Sequence, residues 1–186
     1  MSLVRLGLLS LIVVLGVAVP TSAQKRATVQ EIVSAKLPAL GHRNWIVIAD
    51  SAYPLQTAAG IETIAINEGQ LSAVKQVLAV LARAKHVRPM IYVDSELEFV
   101  PESTVAGIGR YRDDLGQLLK GKPVERLLHE EIIAKLDEAG KTFKVLLIKT
   151  PHTMPYTSVF FQLECGYWSA DAERKLREAM KDKSGG

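Results

Sequence analysis

The sequence predicts an α/β domain: one layered unit with a largely parallel sheet flanked by helices. Two observations carry that reading. Short apolar runs of strand length (Trp45–Ala49, Ile61–Ile66, Pro89–Val93, Phe143–Lys149 and Thr157–Leu163) alternate with segments whose apolar residues recur every three or four positions. Strands that alternate with helices are joined by crossovers, and crossovers favour parallel pairing. The length of the chain, 186 residues, suits a single core.

The elements follow in order. Arg5, an apolar stretch from Leu6 to Val19 and the small-residue segment Pro20-Thr21-Ser22-Ala23 read as a secretory signal peptide. The apolar stretch is shorter than the ~20 residues a spanning helix needs. Cleavage is expected after Ala23, which places the domain at residues 24–186 of an exported protein, periplasmic or extracellular. Thr28-Val29-Gln30-Glu31 is a capping box, and Val29, Ile32, Val33 and Leu37 give the helix behind it an apolar face that Pro38 ends. After the Trp45 strand comes a turn through Tyr53-Pro54, then the Ile61 strand. Leu71, Val74, Leu78 and Leu81 predict an amphipathic helix over Gln70–Lys85. Asp94–Lys122 is mixed, with a helix around Arg110–Leu119. Pro123 suits a first helical position, and Val124, Leu127, Leu128, Ile132 and Leu136 extend that helix to a stop at Gly140. A charged helix over Ala170–Lys181 closes the chain.

Composition excludes several classes of function. Cys165 is the only cysteine, so packing rather than an internal disulfide must hold the fold, as suits an exported bacterial protein. Without the leader, 22 basic residues stand against 20 acidic ones, a balance that predicts no nucleic-acid partner. No membrane contact is expected once the leader is removed. The four histidines show no His-x-x-x-His spacing, so no metal is expected. The Gly-x-Ser-x-Gly elbow of serine hydrolases is absent around Ser51. Arg110-Tyr111-Arg112 could clamp a sugar or phosphate, although a solvated face carrying one half-buried aromatic is the better explanation.

Three places remain for chemistry. His42 follows Gly41 in a tight turn, and its imidazole suits proton transfer near neutrality; an exposed loop histidine is the plainer alternative. Asp50 ends the Trp45 strand, at the kind of edge where ligands collect in α/β sheets. It could bind hydroxyl groups or serve only as an Asx-turn. His152 and Tyr156 lie in a loop stiffened by Pro151 and Pro155.

These stretches together resemble the D-ribose pyranase/L-fucose mutarotase family. The match lies in Leu40-Gly41-His42 with a strand ending at Asp50, in Thr63-Ile64-Ala65-Ile66-Asn67-Glu68-Gly69 with the helix after it, and in Pro155-Tyr156-Thr157-Ser158-Val159-Phe160-Phe161. The resemblance implies an α/β domain assembled into rings with sites at subunit contacts. It also implies cofactor-free interconversion of anomers or ring forms of a free monosaccharide. By carry-over His42 is the catalytic acid/base, and Asp50, His152, Tyr156 and Ser158 bind substrate, with His152 aligned to a second family histidine. Two departures stand out. Ser158 occupies the place of a family asparagine, and the helix usually found between the second histidine and the tyrosine has almost no room after His152. Two rivals follow: a non-catalytic exported monosaccharide-binding protein of the same fold, and a metal-dependent hydrolase using histidines and Glu164.

Overall fold

The computed structural model describes residues 27–184; the leader expected over residues 1–23 lies outside them. Helix α1 (Val29–Lys36) begins at the expected capping box. Thr28 Oγ1 accepts the Glu31 N–H at 3.2 Å, and the Glu31 carboxylate accepts the Thr28 N–H at 2.8 Å. A short 3-10 turn, Leu37–Ala39, takes over where Pro38 has no N–H to continue the helix. Then come β1 (Trp45–Ala49), β2 (Ile61–Ala65), α2 (Gln70–Leu81), β3 (Val87–Asp94), a second 3-10 turn (Ser95–Phe99) and α3 (Ile108–Leu119). β4 (Val124–Leu127), α4 (His129–Thr142), β5 (Val145–Lys149), β6 (Val159–Cys165) and α5 (Ala170–Ser184) complete the order. Among the described residues no helix is long and apolar enough to cross a membrane.

The six strands form one sheet in the order β2-β5-β1-β6-β3-β4. β6 is antiparallel to both β1 and β3, and the other pairings are parallel. Five strands therefore point one way, so their carboxyl ends and the amino end of β6 share a single edge. The largely parallel α/β reading holds.

Side-chain alternation along the strands splits the core in two. Ile46, Ile48, Ile91, Ile148 and Phe161 pack towards α1, α2 and α3, whereas Trp45, Val47, Tyr92, Leu147 and Phe160 pack towards Ile132 and Leu136 of α4. Phe160 and Phe161 are adjacent, fully buried and on opposite faces. Truncating either to Ala would cost about 3–5 kcal/mol.

One expected element changes type. The helix predicted from Pro123 is a strand as far as Leu127 and becomes helix only at His129. Val124–Leu127 pairs with Ile91–Asp94 to finish the sheet edge, and that distant partner overrides local helical spacing. Pro123 stands just before the strand, where its missing N–H removes no ladder bond. Gly140 is likewise not a stop, since α4 runs on to Thr142. A Cβ there would lie 2.8 Å from Ile61 Cγ1, so the glycine lets α4 close on β2. Gly60 is tighter still: a Cβ would lie 2.3 Å from the carbonyl oxygens of Gly140 and Phe143.

Candidate functional site

The shared edge of strand carboxyl ends gathers most of the polar side chains that could act on a ligand. Asp50 follows β1 directly. Its Oδ1 accepts the Ala52 N–H at 2.8 Å, the Asx-turn geometry, and its Oδ2 accepts the Ser158 hydroxyl at 3.1 Å. Ser158 is only 1% exposed. Its hydroxyl is turned to the Asp50 carboxylate, which it steadies.

Asp94, the last residue of β3, holds a matching position. Its side chain is 0% exposed, and its Oδ1 lies 3.1 Å from His129 Nδ1 at the start of α4. Burial pushes the Asp94 carboxyl up to about 6; the His129 contact pulls it down, and Glu96 and Asp50 add to the rise. Its Oδ2 is buried with no hydrogen-bond partner. Glu96 fixes the other side of the pair, its carboxylate accepting the His129 N–H at 3.0 Å. An acid suits that place because a helix N-terminus carries positive potential.

Tyr156 meets His129 edge to face, with ring centroids 5.8 Å apart. The tyrosine is 38% exposed and has a positive φ of 58°. A bulky side chain there costs about 1 kcal/mol or more, and such strain collects at functional positions. His152 stacks on Tyr111 at 5.0 Å. Burial lowers the proton affinity of its imidazole against the opposing charge of Asp50, and its Nε2 is buried without a partner. Of three such orphaned side-chain atoms among the described residues, two (Asp94 Oδ2 and His152 Nε2) belong to this edge.

His42 is not at this edge. It precedes the amino end of β1, and the step from Trp45 to Asp50 alone spans roughly 17 Å at strand rise. There it is 51% exposed, with Nε2 3.4 Å from the Glu164 carboxylate. It borders an open depression of about 590 Å³ that also touches Trp45, Lys135, Glu138, Phe143 and Gln162. Within one chain, then, Asp50, His152, Tyr156 and Ser158 come together and His42 does not join them.

Sequence reading passed over Asp94 and His129. The rule that singled out Asp50, a carboxylate at a strand's carboxyl end, applies equally to Asp94. His129 has no metal-ligand spacing and no other local motif in the sequence to mark it. Among the described residues no three His, Cys, Asp or Glu side chains converge as a metal site would require. The connection is also informative: α4 lies between His129 and Tyr156, whereas no helix lies between His152 and Tyr156. His129 thus has the intervening helix that the resemblance implies before the tyrosine.

The sequence profile described as the RbsD / FucU transport protein family matches residues 23–166. The chain belongs to the RbsD / FucU family. Among solved structures it is similar to Bacillus subtilis RbsD complexed with D-ribose, at 25% identity and a TM-score of 0.50, over 78% of this chain and 99% of that one. It is also similar to the fucose mutarotase of Streptococcus pneumoniae in complex with L-fucose, at 18% identity and a TM-score of 0.47, over 73% and 91% of the two chains. No curated protein matches the sequence. The RbsD / FucU match ends at Gly166, just before α5.

Proposed function

We propose that this protein is a monosaccharide isomerase that interconverts anomers or ring forms of a free sugar at the strand-carboxyl edge. The observation that carries the reading is the convergence there of Asp50, Asp94, His129, His152 and Tyr156 in a chain of the RbsD / FucU family. The reaction takes the proton of the anomeric hydroxyl while the bond from the anomeric carbon to the ring oxygen breaks, and the ring oxygen receives a proton. Rotation and re-closure reverse these steps. No net charge builds up, so imidazoles near neutrality suffice once the hydroxyls are held. Asp50 and Tyr156 hold sugar hydroxyls, and the Asp94–His129 pair faces the ring.

His42 acts as acid/base from a second copy, whose depression beside β1 closes over this edge. The exposed apolar side chains Phe99, Leu128 and Tyr156 support such a contact: Phe99 closes the 3-10 turn after Asp94, and Leu128 directly precedes His129. We further propose that the protein is exported. The Leu6–Val19 stretch supports this, as does a family match that starts at residue 23, beside the expected cleavage.

Saturation-transfer NMR on ribose, fucose and related sugars tests the activity; exchange no faster than in buffer across the panel would refute catalysis. Sugar binding without exchange would instead select the non-catalytic binding protein. Co-expression tests the shared site. His42→Ala and Asp50→Ala each abolish exchange, and mixed assemblies of the two recover up to about a quarter of the wild-type rate, because random pairing reunites intact partners that often. No recovery would remove His42 from the neighbouring site.

A further inference from the structure

We infer that the buried side chains of Gln70, Thr150 and Tyr111 are positioning residues that hold the loop bearing His152 and Tyr156 in place above Asp50. This rests on the site reading above. Gln70 is the first residue of α2, yet it is 2% exposed. Its Nε2 donates to the Ile48 carbonyl at 3.1 Å and to the Thr157 carbonyl at 2.8 Å, and its Oε1 accepts the Thr150 hydroxyl at 2.6 Å. One amide thus ties together the end of β1, the end of β5 and the entry to β6. Tyr111 of α3 donates its hydroxyl to the same Thr157 carbonyl at 2.9 Å, and its ring is the one stacked on His152. Thr150 Oγ1 accepts the His152 N–H at 3.3 Å.

Every segment this cluster grips carries or adjoins a site residue: Asp50 after Ile48, His152 after Thr150, Tyr156 and Ser158 around Thr157. An apolar residue would fill the Gln70 position without the desolvation cost of a buried amide, about 1–3 kcal/mol when unmatched. The amide is explained by the three chain segments it joins. All three side chains are 5% exposed or less, so they act through the loop and do not touch a sugar.

The test compares Gln70→Met, Thr150→Val, Thr150→Ser and Tyr111→Phe with wild type. Sugar exchange kinetics and the NMR titration of His152 are followed on folded protein. Tyr111→Phe is expected to raise KM about fivefold, the worth of one neutral hydrogen bond; Thr150→Val, which loses the bonds to Gln70 and to the His152 N–H, raises it further, while Thr150→Ser restores the wild-type value. Gln70→Met, which loses three bonds, raises KM further and moves the His152 midpoint up towards that of a free imidazole as the loop lifts. Folded Gln70→Met and Tyr111→Phe with unchanged KM and an unchanged His152 titration would overturn the inference. If Gln70→Met does not fold, Tyr111→Phe decides alone, since it removes a single hydroxyl. Should wild type act on no sugar, the His152 titration still decides, so failure of the activity and failure of the positioning role remain distinct.

Discussion

Replacing Asp94 with Asn should make the protein more stable at pH 8 and change how its stability varies with acidity. The native carboxyl holds its proton up to about pH 6, against 3.8 for the ordinary group. Between those values the native state binds more protons than the unfolded chain, so stability falls as pH rises and the loss is complete above about 6. A difference of that size corresponds to about 3 kcal/mol. Asn is neutral, has nearly the same shape, and its carbonyl oxygen can still accept from His129 Nδ1–H. Its amide leaves one donor where Asp94 Oδ2 now lacks a partner, which offsets about 1 kcal/mol or more. The net expectation at pH 8 is a gain of about 1–2 kcal/mol, or roughly 2–8 °C in Tm for a domain of this size. At pH 4, where most of the ionisation penalty is gone and the unpaired amide donor remains, Asp94→Asn should be less stable than wild type by about 1 kcal/mol. Thermal scans of both proteins from pH 4 to 8 give the comparison, because the other carboxylates cancel in the difference. A variant less stable than wild type at pH 8, or a gap that does not change with pH, would refute the reasoning. Exchange activity should fall in the same variant, since stability stored against a buried charge is commonly traded for function.

Other expectations follow from packing, capping and the site. Gly60→Ala should destabilise by about 2–3 kcal/mol in urea denaturation, because its Cβ would strike two backbone carbonyl oxygens that cannot swing aside. Thr28→Ala removes one half of the capping box and should cost about 1 kcal/mol in the same assay. Ser158→Ala removes the bond to Asp50 and should raise KM for sugar several-fold, while Ser158→Asn should leave a folded protein whose substrate panel differs by NMR exchange. N-terminal sequencing of protein recovered from the periplasm or medium should begin at Gln24; recovery only from the cytoplasm with Met1 intact would refute export.

Where pattern and partner lie close in sequence, the fold was legible. The Thr28–Glu31 cap, the Trp45 strand and the α3 helix, predicted at Arg110–Leu119 and found at Ile108–Leu119, need only local spacing. β4 was not legible, because Val124 and Leu127 suit a helix face equally well and only pairing with Ile91–Asp94 decides between the two. The site divides in the same way. Asp50, Tyr156 and His152 stood out from turn and strand signals. The Asp94–His129 pair joins residues 35 apart, and nothing in either neighbourhood announces the other. The distance from His42 to Asp50 could in fact have been reckoned from strand rise alone.

The reversed direction of β6 gives the molecule a consequence for substrate range. β5 and β6 flank β1, so the chain from Thr150 to Ser158 must arch over the end of the strand between them. An arch anchored at both feet can lengthen, shorten or exchange side chains at its crown while every rung of the ladder beneath stays paired. Relatives that differ in this one span could accept different sugars on an unaltered sheet.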